Sequence, residues 1–141
     1  MPSPKTAASL ARLRRRLGRI PLEVRAAAAA QALVEANNLA LGIRHAAPRD
    51  DGTLAASVRI EQGRAGDRFY VKAGGPTTTR PVREGASATY DYALGQEFGT
   101  AKMPANPFFY PIYRYRRRAI RESISRAALN AARRFNEQGQ E

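Results

Sequence analysis

The sequence predicts an α+β fold: a long N-terminal helix, a small antiparallel sheet of three to four strands, and a long C-terminal helix packed on the sheet. Three observations predict it. An alanine-rich stretch over residues 22–43 keeps apolar side chains at helical spacing. Two short alternating or β-branched runs, 57–61 and 68–72, flank a glycine-bearing turn. A second long amphipathic stretch covers 111–135. A chain of 141 residues suits one domain with a modest core. That domain is assigned to 21–136, and residues 137–141 are expected to form a disordered tail.

Taken in order, the first element is an arginine-rich segment, 1–20. Leu10, Leu13 and Leu17 fall at helical spacing there, with Arg12, Arg14, Arg15, Arg16 and Arg19 around them. The segment is expected to be helical, and its mobility is left open. Gly18 and Pro21 interrupt it, and Pro21 suits the first position of a new helix. In that helix Leu22, Ala26, Ala29, Leu33, Ala36, Ala40 and Ile43 share one stripe, expected to be the core face. The segment 48–52 ends it. Strands are expected at 57–61 and 68–72 with a hairpin turn over 63–67. Residues 74–88 show no periodicity and carry two prolines, so they are expected to be a long loop. Residues 90–98 read as a further strand, with a helical start as the open alternative. In the last helix Ile112, Ile120, Ile124, Ala128, Ala131 and Phe135 mark the apolar side. Arg114, Arg117, Arg118 and Arg121, at i, i+3, i+4 and i+7, form a basic ridge.

Composition narrows the class. No run of 18 apolar residues suggests a membrane span, and the first residues lack the apolar centre of a secretory signal. There is no cysteine, which removes disulfides and thiolate metal sites. The expectation is a protein of the cytosol, or one assembled there and exported inside something larger. The net charge is +12, from 24 Lys+Arg against 12 Asp+Glu. Lysine occurs only at Lys5, Lys72 and Lys102, so 24 − 3 = 21 of the cations are arginine. Arginine suits phosphate and carboxylate recognition, but net charge alone licenses only non-specific attraction to polyanions.

Catalytic and metal chemistry find little support. His45 is the single histidine and lies near the end of a helix, where the dipole favours a cation. A metal bound there would have only carboxylates for company. Asp50 and Asp51, before Gly52, are the residue types that cap turns, although with His45 they are the material a hydrolase would need. Gly74-Gly75 lacks the lysine and following helix of a phosphate-binding loop. No enzyme, metal or cofactor is therefore expected. Tyr110, Tyr113 and Tyr115 interleave with the arginine ridge, an interface composition. The favoured reading is a protein interface facing an acidic partner, and the alternative is a small basic nucleic-acid-binding protein.

Two blocks carry more information. The first is Ala47-Pro48-Arg49-Asp50-Asp51-Gly52-Thr53-Leu54-Ala55-Ala56-Ser57-Val58. The second opens with Tyr92-Ala93, continues through Glu97-Phe98-Gly99-Thr100, and closes with Pro107-Phe108-Phe109-Tyr110-Pro111. Together they resemble the neck or tail-completion (head–tail joining) family of long-tailed phages, typified by gene product ten of the lambdoid HK-type phage. The likeness covers roughly residues 20–135, with the same order of helix, block, hairpin, block and helix. Asp51 stands where the family usually has threonine before the glycine, and the segment before Pro21 is less typical.

The resemblance implies a non-enzymatic virion protein of a tailed phage, prophage or phage-derived particle. It would be assembled in the host cytoplasm and sit at the neck or head-proximal tail. It would form a ring, most naturally a hexamer. Its other partners would be head-completion or connector proteins on one side and tail-terminator or tail-tube proteins on the other. Loop 74–88 would order on meeting a neighbour. Arg12, Arg15, Arg16, Arg80, Arg83, Arg114, Arg117, Arg118 and Arg121 are the candidates for partner contact, or for non-specific contact with DNA in the channel.

The motif residues Pro48, Gly52, Leu54, Ser57, Tyr92, Ala93, Glu97, Phe98, Gly99, Pro107, Phe108 and Pro111 read as structural. Gly52 and Gly99 permit unusual φ, Gly99 at the end of a third strand. Leu54 and Val58 enter the core, and Phe98, Phe108 and Phe109 supply aromatic packing. Pro107 and Pro111 set the entry to the last helix. Glu97 is expected either to pair with an arginine, in the same subunit or across a ring contact, or to stand exposed on an edge strand.

Overall fold

The computed structural model describes residues 21–138; the segment 1–20, with Arg12, Arg15 and Arg16, and residues 139–141 lie outside the described residues. Alanine has the highest helix propensity and the smallest side chain of the good helix formers. The alanine-rich stretch accordingly forms α1 (Leu22–Ala46). It stops where Ala47 turns extended (φ −62°, ψ 135°) ahead of Pro48, whose ring excludes the helical conformation from the residue before it.

Gly52 adopts φ +79° and starts a single turn, α2 (Thr53–Ala56), which delivers Leu54 to the core. The strands β1 (Arg59–Gln62) and β2 (Phe69–Lys72) pair antiparallel, Arg59 opposite Lys72 and Gln62 opposite Phe69. Their turn closes through the Gly63 N–H donating to the Arg68 carbonyl at 2.8 Å. Ile60 and Val71, directly opposite one another, pack on the core from this hairpin.

The expected loop 74–88 holds regular structure. A 3₁₀ turn (Pro76–Thr78) leads into β3 (Thr79–Pro81), which pairs antiparallel with β4 (Thr89–Asp91). Three-residue strands carry no periodicity, and Pro81, which has no N–H, hid the pairing by occupying a strand end. The β structure is therefore two separate two-stranded sheets and not one sheet of three to four strands.

The third expected strand is also corrected. Residues Tyr92–Phe98 form a helix, α3, whose Ala93 N–H is capped by the Asp91 carboxylate and whose end is Gly99. At Gly99 (φ +77°) an added Cβ would lie 2.8 Å from the Ala105 nitrogen and 3.1 Å from the Met103 oxygen. Gly99→Ala should therefore destabilise the fold by about 1–3 kcal/mol through backbone strain, read as a lowered midpoint in thermal or urea unfolding.

The last helix, α4 (Tyr110–Gln138), extends past the expected 111–135 and takes in Glu137 and Gln138. Its most extensive contact is with α1, and α1 rather than α4 supports the β1–β2 hairpin, so α4 is not primarily a layer on the sheet. The two long helices run antiparallel. Gln31 Nε2 donates to Ser123 Oγ at 2.7 Å near the middle of the pair, while Gly42 meets Ile112 near the end that joins the C-terminus of α1 to the start of α4. Glycine at 42 permits this approach, because a Cβ there would sit 3.2 Å from the Ile112 Cγ2.

Two sequence stripes are corrected by this pairing. On α1 the buried line is Val24, Glu35, Ala36, Leu39, Ala40 and Ile43, whereas Leu22, Ala26 and Leu33 face outward. On α4 Phe135 is exposed, and Arg116 instead lies on the inner side, 3.7 Å from Glu35. Polar partners on the facing helices make this orientation affordable: Gln31 and Ser123 satisfy each other, as do Glu35 and Arg116.

Candidate functional site

Residues of the two sequence blocks converge on one corner. Leu54 and Val58 of the first block and Ala93 and Phe108 of the second share a core cluster with Leu39, Ala40, Ile43 and Ala47. Ser57 locks the first block in place: its Oγ donates to the Leu54 carbonyl at 2.6 Å and accepts from the Gly74 N–H at 2.9 Å. Pro48 is half-buried, while Pro107 and Pro111 are exposed at the approach to α4. Of the aromatic residues, Phe108 is buried and Phe109 half-buried, but Phe98 is 64 % exposed and is not core. Its ring instead lies 6.0 Å from that of Tyr110.

Two carboxylates hold this corner, one at each end of α3. Asp91 takes the Gly75 and Ala93 N–H groups, both at 2.9 Å, and the Thr78 hydroxyl at 2.6 Å. Among the described residues Glu97 pairs with no arginine, and it does not stand on an exposed edge. It is buried and accepts the backbone N–H groups of Phe108, Phe109 and Tyr110, each at 2.9 Å. The Phe109 and Tyr110 groups are donors that the start of α4 leaves without partners in its own helix, and the Phe108 group belongs to the approach just before it. The negative charge also sits where the helix dipole is positive. Glu97 is thus the cap of α4, delivered from the preceding helix.

Arg59 completes the corner from β1, its Nη1 donating to the Gly74 carbonyl at 2.6 Å, and Arg44 donates to the Val58 carbonyl at 2.8 Å. Sequence reasoning missed Asp91, Arg44 and Arg59 as structural ties. Asp91 alone had a readable signal, an aspartate immediately before a helix-forming run.

The remaining candidates lie apart from the corner's interior. Arg80, on β3, reaches over the Tyr92 ring at 5.8 Å and lies 3.7 Å from Asp51. With Pro48, Leu54 and Met103 these residues line a cleft of about 830 Å³. Arg83 is exposed in the turn between β3 and β4. Arg114, Arg117, Arg118 and Arg121 are all exposed on α4, and only Arg118 among them has an ion-pair partner among the described residues, Glu122 at 2.8 Å. That contact raises the Arg118 pKa and holds the Glu122 carboxyl below its ordinary range.

Asp51 is occupied as a turn cap, accepting the Thr53 N–H at 2.9 Å, and this bond, ahead of Arg80, lowers its pKa. His45 is exposed in the last turn of α1. Among the described residues no three His, Cys, Asp or Glu side chains gather as a metal-binding group. No helix among them is long and apolar enough to cross a membrane. Two surfaces stand out among the described residues: an outer face of α1 bearing Leu22, Leu33, Val34 and Leu41, and a cationic outer face on α4. No protein-family model, curated protein or solved structure matches the chain.

Proposed function

We propose that the protein is a structural, non-enzymatic component of a tailed phage, prophage or phage-derived particle. In this reading it assembles in the host cytoplasm and joins heads to tails, or completes tails, as a ring at the neck. The observation that carries the reading is the convergence of the two motif blocks. Residues 35 to 54 positions apart in the sequence, Leu54 and Val58 with Ala93 and Phe108, build a single core corner. Motifs of this kind identify a fold and leave the work to its surfaces. The neighbours in the particle are head-completion or connector proteins and tail-terminator or tail-tube proteins.

The outer face of α1 suits the subunit contact. Leu22 is 78 % exposed, and Leu33, Val34 and Leu41 lie on the same outward side. Between Arg25 and Arg44 the only charged residue is the buried Glu35. Two copies of a chain carrying +12 can meet there without opposing like charges.

Deleting the gene should leave filled heads and tails unjoined, or tails of abnormal length, under the electron microscope. Normal infectious particles would refute the role. Leu33→Glu with Leu41→Glu should leave α1 folded but give a monomer by light scattering and fail to complement the deletion. An unchanged oligomer would move the subunit contact elsewhere.

A further inference from the structure

Helix α4 carries eight arginines, at positions 114, 116, 117, 118, 121, 126, 133 and 134, against two glutamates, Glu122 and Glu137, a net charge of +6. Packing divides them. The side turned to α1 presents Ile112, Ile120, Ser123 and Ala131, and takes Arg116 with it as the partner of Glu35. The opposite side is left to Arg114, Arg118 and Arg121, which fall within an arc of roughly 60°, with Arg117 on its flank. Arg118 is held by Glu122. Among the described residues Arg114, Arg117, Arg121, Arg126, Arg133 and Arg134 have no carboxylate within ion-pair distance. The fold therefore concentrates cations along one rod, about 43 Å long by helical rise, and supplies almost nothing to neutralise them.

The composition of this face selects its partner. Protein interfaces take up arginine and tyrosine, but beside buried apolar anchors and with carboxylates or carbonyls opposite, and not as an uninterrupted row of like charges. Two turns holding Arg114, Arg117, Arg118 and Arg121 set four like charges against one carboxylate, Glu122, and the exposed aliphatic and phenyl side chains of α4, Leu129 and Phe135, lie further along the helix. A nucleic-acid backbone asks only for a row of cations, since duplex DNA carries a phosphate charge every ~1.7 Å of its axis. Arginine binds phosphate through two parallel N–H groups and stays charged at any relevant pH. Tyr115, 88 % exposed beside the row, has no role in the core.

We propose that the outer face of α4, centred on Arg114, Arg117 and Arg121, binds the phosphate backbone of duplex DNA without reading its sequence. The site does not depend on the head–tail assignment. Within a ring it gives the inner wall of a DNA channel.

The test uses the full-length protein and a labelled duplex of arbitrary sequence, ~30 base pairs long, followed by fluorescence anisotropy at about 50 and about 200 mM salt. Binding is expected at the lower salt and should weaken at least tenfold at the higher. Combining Arg114→Gln, Arg117→Gln and Arg121→Gln should weaken low-salt binding by about tenfold or more and reduce the slope of log affinity against log salt by about 2–3. Circular dichroism should be unchanged. A control with Arg49→Gln, Arg64→Gln and Arg68→Gln removes the same charge from exposed positions elsewhere and should change affinity less than about threefold.

Four outcomes overturn the proposal: no binding at low salt, an equal loss in the control, an equal loss from Arg12→Gln, Arg15→Gln and Arg16→Gln, or competition by polyglutamate as effective as by DNA. Light scattering on the same samples reports the ring separately. A monomer that binds duplex keeps this site and removes the ring, and a ring that ignores DNA does the opposite.

Discussion

Replacing Glu97 with alanine will cost the fold about 3–5 kcal/mol, seen as a fall of ~10 °C or more in the unfolding midpoint. The size follows from what the carboxylate holds. Three N–H groups, of Phe108, Phe109 and Tyr110, donate to it at 2.9 Å in a site shielded from water. A hydrogen bond to a charged acceptor contributes about 1.5–3 kcal/mol, and a buried donor left bare costs about 1–3 kcal/mol. Partial fraying of the first turn of α4 would recover some of that loss by letting water in. Glu97→Gln keeps one oxygen acceptor and nearly the same volume, so it should cost only about 1–2 kcal/mol. Equal losses in the two variants would show that the site needs only the bulk of the side chain. Hydrogen exchange gives a second readout: protection should fall first at Phe108, Phe109 and Tyr110 and least at the centre of α4.

Phe108→Ala should be as damaging, at about 3–5 kcal/mol, while Phe98→Ala should cost less than about 1 kcal/mol. The two phenylalanines belong to the same motif block and differ only in where the fold puts them. Phe108 is 2 % exposed at the meeting point of both blocks, and removing its ring leaves a void that Ile43, Val58 and Leu54 cannot all collapse to fill. Phe98 is 64 % exposed, so its ring already meets water. Urea unfolding of both variants decides the matter. Comparable losses would mean that Phe98 is covered in solution, and concentration-dependent unfolding of the wild type would then identify the cover as another copy.

Much of this architecture was legible in the residues. Period and composition were enough for two long helices, and a glycine turn between alternating runs was enough for the β1–β2 hairpin. Gly52, Leu54, Val58, Gly99 and Phe108 could be placed because each answers a local demand for backbone freedom or volume. The seven residues of α3 could not. Under two turns long, Tyr-Ala-Leu-Gly-Gln-Glu-Phe shows no helical repeat, and its aromatic ends favour a strand reading.

The job of Glu97 was hidden for a different reason. Its partners are backbone N–H groups 11–13 residues further on, and no residue type announces them. On α1, alanine at so many positions makes two faces almost equally apolar. The choice between them rests on Gln31 and Glu35, whose partners Ser123 and Arg116 lie on the far helix. The arginine ridge was visible as a pattern, but only packing removes Arg116 from the outer surface and leaves Arg114, Arg117 and Arg121 there.

The pairing of α1 with α4 also sets a timetable. Gln31 and Ser123 touch across a sequence separation of 92, whereas the bonds made by Asp91 and Glu97 reach no further than 16. During synthesis the hairpin and the corner can close as soon as they leave the ribosome, because short loops close at little entropic cost. Helix α1 emerges first and finds its partner last. For that interval the stretch of α1 that α4 will cover, around Gln31 and Glu35, is as bare as Leu22 and Leu33, while Leu39, Ala40 and Ile43 already rest on the hairpin and the first block. Anything that delays the completion of α4, such as a slow codon cluster or a truncation before residue 123, leaves that stretch free to pair with the wrong neighbour.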